Sequence, residues 1–184
     1  MIEGIILAGG YSSRFKQNKM VVNFKGQALI LHTAQTLLKI CDHVYVVTGH
    51  YHEEIKILFK DYSNITIVNN KDYQEGMFSS VKCGASHVKH DFFIIPGDYP
   101  LVSDTTYKTL LKGKKTIRVP SYKHKLGHPL FISYSLKDDL IDTDAESLKD
   151  FRNLHDYEII EVEDQFINFD IDTIEDLEEI EGKE

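Results

Sequence analysis

The sequence predicts an α/β fold, a mostly parallel sheet covered by helices on both faces. Three observations carry this expectation. Short β-branched runs alternate with segments of helical length and periodicity along the chain, the pattern of βαβ units joined by right-handed crossovers. The run at residues 91–95 (DFFII) is continuously apolar, as a buried strand is, and prolines at 96 and 100 break it. The length of 184 residues suits one domain, so residues 1–184 are read as a single unit that buries its core without a disulfide or structural metal.

Residues 2–7 (IEGIIL) form the first expected strand, closed by a glycine pair. Residues 28–40 have helical length and period, and residues 43–48 (HVYVVT) supply the next strand. Residues 52–59 are amphipathic, residues 65–68 strand-like and residues 77–88 helical. Beyond residue 112 the pattern loosens: 116–119 and 130–133 read as strands, and the polar stretch 137–150 carries two helix-like pieces. Residues 169–172 lead into a final helix, for which Thr173 and Asp176 form a capping box. Its acidic end reads as a solvated face with a frayed terminus.

Composition excludes several classes of function. Hydrophobic residues make up 42% and charged residues 27%, which rules out a disordered or collagen-like chain. A formal net charge of −8 repels nucleic-acid phosphates and anionic lipid, so neither a nucleic acid nor a membrane is an expected partner, whereas a small anionic ligand in a local pocket is compatible. No apolar run approaches the roughly 20 residues of a membrane span, and the N-terminus lacks a signal-peptide profile. Cys41 and Cys83 lack metal-binding spacing and read as buried, reduced thiols, in keeping with a cytoplasmic location. The nine histidines form no zinc motif.

Four constellations carry chemistry. The first spans Leu7, Ala8, Gly9 and Gly10 into Ser12, Arg14 and Lys19. A glycine pair at the carboxyl end of a strand lets backbone N–H groups approach an anion, and Arg14 and Lys19 add positive charge to what is otherwise an ordinary βα turn. The second is Asp98, directly after the buried strand; it is read either as an oxygen ligand for Mg²⁺ or as a turn aspartate bonding its own backbone. The third is Asp170 and Asp172, which point the same way if the chain there is extended. Asp172 sits beside the helix cap, leaving Asp170 freer to face a cleft. The fourth is the polar loop 69–76 running into Gly76, Ser79 and Ser80, suited either to hydrogen-bond a nucleobase or to cap the following helix.

In chain order these segments read LAGG-x-S-S-R-x-x-x-x-K, EGM-x-SS-x-K-x-G, PGDYP, GHP and DIDT. Together they resemble the nucleotidyltransferase family that contains the molybdenum cofactor transferases, with the cytidylyl branch nearest, over almost the whole chain. The resemblance implies a three-layer α/β/α sandwich of the nucleotide-diphospho-sugar transferase-like, Rossmann-like type. It implies that Gly9, Gly10, Ser12 and Arg14 cradle the triphosphate of an NTP, that Lys19 neutralises it, and that Asp98 and Asp170 hold Mg²⁺. Gly76, Ser79 and Ser80 match the base and ribose side, and His128 the acceptor side. The implied reaction moves a nucleotidyl group from an NTP, CTP favoured, to a phosphorylated acceptor such as molybdopterin. An enzyme that receives the finished cofactor is the implied protein partner.

Some positions depart from the family pattern. Lys16 stands where a glycine is usual, and residues 142–148 lack the glycine and arginine expected near the acceptor. LAGG is commoner in guanylyl-transferring relatives, whereas GM-x-SS leans cytidylyl, so GTP stays open. A sugar-phosphate nucleotidyltransferase, a non-catalytic nucleotide-binding module and a nucleotide-sugar glycosyltransferase are the competing readings.

Overall fold

The computed structural model describes residues 1–11 and 17–181. Strand β1 (Ile2–Ala8) lies at the centre because its apolar run has no face suited to water. Its one charge, Glu3, is buried and satisfied: its carboxylate accepts from the Lys89 and His90 N–H groups at 2.6 and 2.9 Å. β1 pairs in parallel with β4 (His43–Thr48) on one side and β6 (Asp91–Pro96) on the other, setting Ile6 opposite Val46 and Ile95. Beyond β4 lies β5 (Ile65–Asn69). Beyond β6 come β9 (Leu130–Ile132), β7 (Ile117–Tyr122) and β10 (Tyr157–Glu161), giving the order β10-β7-β9-β6-β1-β4-β5, with the short β8 (Lys125–Leu126) on β7. β9 is antiparallel to both neighbours, so its start meets the same sheet edge as the end of β6. A separate hairpin joins β2 (Asn23–Phe24) and β3 (Gln27–Ala28).

Alternate residues of the central strands feed two cores. Ile6, Val46, Phe93 and Ile95 pack on one face with Leu37 of α1 (Leu29–Leu38), Ile55 of α2 (His52–Leu58) and Tyr107 of α4 (Asp104–Leu111). Ile5, Val47, Phe92 and Ile94 pack on the other with Val81 of α3 (Met77–Ala85), Leu140 of α5 (Lys137–Asp142) and Phe151 of α6 (Leu148–Asn153). The three layers are those expected. A third cluster joins Phe24 and Leu29 to Ile171 and to Leu177 of α7 (Ile174–Glu181). The capping box before α7 is present: Thr173 Oγ1 accepts from Asp176 N at 3.2 Å while the Asp176 carboxylate accepts from Thr173 N at 2.7 Å.

The short strands β2, β3 and β8, helix α4 and strand β10 are absent from the sequence pattern. α4 has a polar composition and only Thr106, Tyr107 and Leu110 buried, and β10 is a half-buried edge strand, so neither gives a strong periodic signal. Among the described residues no helix is long and apolar enough to cross a membrane. Cys41 is buried as expected, while Cys83 is half-buried; burial pushes both thiols up, so they stay protonated.

Candidate active site

The carboxyl ends of β1 and β6 open on a cleft of about 410 Å³, the position that open parallel sheets reserve for ligands. Its walls are the segment after β1 (Gly9, Gly10, Tyr11), the loop before α3 (Tyr73, Gln74, Gly76), and Lys19, Pro96, Asp98 and Asp172. Among the described residues, no atom lies within 4 Å of where a Gly10 side chain would begin, and Gly10 lines the cleft. Gly76 has φ +103°, a conformation glycine adopts without strain, and turns the chain directly into α3.

The loop before α3 is braced from below. Buried Asn70, just past β5, donates from Nδ2 to the Ser79 and Ser80 hydroxyls at 2.9 and 3.0 Å, while its Oδ1 accepts from Asp72 N at 3.0 Å. Ser79 Oγ turns back to the Asp72 and Gly76 carbonyls at 2.9 and 2.8 Å. Neither serine caps α3, whose N-cap is Gly76; the helix-capping alternative for these serines is corrected. Tyr11 contacts the rings of His50 and Tyr73 at centroid distances of 5.0 and 5.5 Å, joining the two rims.

At the floor lies a carboxylate cluster. Asp98, Asp170 and Asp172 each place an oxygen within 4.8 Å of the others. Ile171 N donates to the Asp98 carbonyl at 3.0 Å, pinning the segment that carries two of them to the turn after β6 that carries the third. Lys19 stands in a short 3-10 turn (Lys19–Val21) whose N-cap, buried Asn18, accepts from Met20 N at 3.1 Å and donates to Glu54 at 3.2 Å. From there Lys19 Nζ reaches Asp98 Oδ2 at 2.5 Å and Asp172 Oδ1 at 2.7 Å. Lys19 is therefore not a solvated loop cation: its side chain is 12% exposed and ion-paired. Asp172, placed by sequence beside the helix cap, turns its carboxylate to Lys19 instead.

Burial by itself depresses the Lys19 pKa, but Asp98 and Asp172 outweigh it and hold the ammonium above its ordinary value. Burial raises the Asp98 pKa despite Lys19, with Asp170 adding to the rise. The reason is local: Asp98 Oδ1 is sealed from water without a hydrogen-bond partner. An anionic oxygen in that state, facing a second carboxylate, fits a hard cation, which takes oxygen ligands.

A second cleft, of about 430 Å³, begins beside the cluster, since Tyr99 follows Asp98 and Asn168 precedes Asp170. It is lined by His128, whose ring meets Tyr99 edge-on at 4.9 Å and whose backbone N–H donates to the Ile167 carbonyl at 2.8 Å. Burial of the ring pushes the His128 pKa down to about 4. A histidine held neutral in the fold, with an unfolded pKa near 6.5, contributes stability that is complete above about pH 6.5 and lost as pH falls toward 4, at about 3 kcal/mol. Denaturant titrations at pH 7 and pH 4 should show this acid loss in the parent and most of it missing in His128→Leu. An equal loss in both proteins would assign the acid sensitivity to other groups.

Of the residues singled out from sequence, Leu7, Gly9, Gly10, Lys19, Gly76, Ser80 and Asp98 line the first cleft. Asp170 joins the cluster and His128 the second cleft. Ala8 is buried in the core, and Ser79 braces the loop rather than lining the cleft. Ser12 and Arg14 lie outside the described residues. Tyr11, Tyr73, Gln74 and Met77 line the cleft without having been singled out as candidates, as does Arg152 the second one. Only position signals the first four in sequence: Tyr11 beside the glycine pair, Tyr73 and Gln74 inside the polar loop, and Met77 directly after it.

A glycine-lined cleft at the edge of a parallel sheet, floored by Asp98, Asp172 and Lys19 with Asp170 beside them, fits phosphoryl-group chemistry. Residues 4–158 match the MobA-like NTP transferase domain, and the chain belongs to that family of nucleotidyltransferases. It is 28% identical over 180 residues to the molybdenum cofactor cytidylyltransferase of Escherichia coli (strain K12), covering 96% of this chain and 93% of that one. It is 31% identical to a probable molybdenum cofactor guanylyltransferase of Thermococcus sibiricus, covering 72% and 68% of the two chains. A nucleotidyl transferase from Methanothermobacter thermautotroptrophicus superposes with a TM-score of 0.84 at 18% identity, over 100% of this chain and 97% of that one, a likeness of fold.

Proposed function

We propose that this enzyme matures the molybdenum cofactor, transferring CMP from CTP to the phosphate of molybdopterin and releasing pyrophosphate, with Mg²⁺ held by Asp98 and Asp170. The observation that carries the reading is Asp98 Oδ1, a buried carboxylate oxygen without a hydrogen-bond partner, at the floor of a glycine-lined cleft and within 4.8 Å of an Asp170 oxygen. Lys19 engages the other Asp98 oxygen and Asp172 Oδ1, which favours Asp98 Oδ1 and Asp170 as ligands for the ion. Bound there, the divalent cation would supply charge neutralisation to the nucleotide phosphates.

The chain's own residues do the rest. The backbone at Gly9 and Gly10, continued by Ser12 and Arg14, cradles the triphosphate where the first strand, through Leu7 and Ala8, delivers it. The Lys19 ammonium, held charged by its carboxylates, meets the negative charge gathering on the α-phosphate and the leaving group. Gly76 and Ser80 present the loop to base and ribose, and Ser79 holds its shape. An acceptor phosphate oxygen forms a bond to the α-phosphorus while the bond to the β-phosphate oxygen breaks in line. The attacking oxygen is already anionic, so positioning and charge stabilisation suffice without a strong protein base. Both substrates are small molecules; the product passes to a cofactor-receiving enzyme, and the protonated, unbridged thiols fit the cytoplasm.

A thermal-shift panel of CTP, GTP, ATP and UTP, each with and without Mg²⁺, tests the reading. A ligand at a hundred times its Kd adds about 2.7 kcal/mol, a shift of roughly 5–10 °C for a chain of this size. A Mg²⁺-dependent shift with CTP alone is expected. GTP alone would move the assignment to the guanylyl branch favoured by the Thermococcus relative, and no shift with any nucleotide would overturn it.

A further inference from the structure

The carboxylate cluster already holds a cation that belongs to the chain. Lys19 Nζ lies 2.5 Å from Asp98 Oδ2 and 2.7 Å from Asp172 Oδ1, on two of the three carboxylates that would offer oxygens to a divalent ion. Its backbone is fixed for that reach by the 3-10 turn that buried Asn18 caps, and the Lys19 carbonyl accepts from Val22 N at 3.3 Å. The other Asp98 oxygen, Oδ1, is sealed from water and accepts no hydrogen bond, so the ammonium answers only part of the cluster's charge. An ion on Oδ1 and an ammonium on Oδ2 would share one carboxylate. Like charges that close repel, and water screens them poorly here, since the Lys19 and Asp98 side chains are each 12% exposed. The two cations therefore compete. A lysine ammonium is a point charge on a flexible four-carbon stem, and phosphate oxygens suit it as well as carboxylates do. A polyphosphate in the cleft that Gly9, Gly10 and Lys19 line thus offers Nζ an alternative partner.

We propose that Lys19 is an internal counter-ion, which weakens the cluster's hold on a divalent metal until a bound polyphosphate takes up the ammonium. The competition follows from the distances within the cluster; the nucleotide as its trigger rests on the transferase reading. Metal and nucleotide then favour each other's binding by the same factor, as linkage requires. Lys19 acts twice, on the carboxylates before the nucleotide enters and on its phosphates afterwards.

The test uses Mn²⁺ as the probe, counted as free ion by its EPR signal without nucleotide and as protein-bound ion by water-proton relaxation with CTP present. Without nucleotide, Lys19→Met should bind Mn²⁺ about tenfold or more tighter than the parent, and Lys19→Arg, which keeps the charge, no tighter than the parent. CTP should tighten Mn²⁺ binding by a larger factor in the parent than in Lys19→Met. Adding Asp98→Asn to Lys19→Met should abolish the gain, which places the ion on the cluster. Lys19→Gln, also uncharged, takes the place of Lys19→Met if that variant fails to fold. An uncharged variant that binds Mn²⁺ no tighter than the parent overturns the proposal even where CTP binds. So does a gain that survives Asp98→Asn, or a CTP effect equal in the parent and Lys19→Met. A gain in Lys19→Met from a parent that responds to no nucleotide supports the competition and overturns the transferase reading.

Discussion

Asp98→Asn should lower nucleotidyl transfer by about 10³-fold while leaving the metal-free protein at least as stable as the parent. The two effects share one cause. Asp98 Oδ1 is buried without a partner, and burial raises the pKa of the carboxyl. The folded state thus holds the Asp98 proton more tightly than the unfolded chain does, and ionisation above that pKa works against the fold. An amide of the same shape removes the charge, keeps an oxygen for Lys19 and offers an N–H to the neighbouring carboxylate. The parent should gain stability from Mg²⁺ and Asp98→Asn should not. Melting curves with and without EDTA, alongside pyrophosphate release, measure both. A variant that melts more than about 8 °C below the parent would make Asp98 a structural residue, and one with parental turnover would remove it from the chemistry.

Lys19→Met should have the opposite thermal signature. It keeps most of the aliphatic stem but removes the ammonium that pairs with Asp98 and Asp172, in a cluster whose three carboxylates lie within 4.8 Å of one another. Breaking a largely buried pair by removing one partner costs about 3 kcal/mol, so Tm should fall by roughly 6–12 °C, and turnover should fall by about 10²-fold or more. Adding Asp98→Asn should restore part of the lost stability, because it takes away one of the repelling charges; the two substitutions are therefore non-additive. A parental Tm in Lys19→Met would mean that these contacts add nothing to the fold. Parental turnover would mean that the ammonium takes no part in transfer.

Much of this was legible in the sequence because the central strands are continuous apolar runs. β1, β4 and β6 fall within a residue of their expected bounds. Their carboxyl ends put the glycine pair and Asp98 at one edge, as sheet topology requires. β10 was not legible: an edge strand has water on one side, and the Tyr157–Glu161 segment shows no clear alternation. At the site, the candidate carboxylates were visible as residues, but their partnership with Lys19 spans the length of the chain. Only the fold decides whether a loop lysine is solvated or buried between two aspartates. Arg152 was invisible for the same reason, since a lone arginine in a polar stretch looks like surface until Tyr157 is seen beneath it.

The hydrogen bond from Ile171 N to the Asp98 carbonyl sets an order of events during synthesis. β1, β4, β5 and β6, with the helices between them, leave the ribosome before Asp170 and Asp172 exist. The glycine-lined rim can therefore form while the floor still has one carboxylate of three. A chain in that condition has no set of oxygens to concentrate a divalent ion beside Lys19. The cluster is completed only when the segment before α7 returns to the turn after β6.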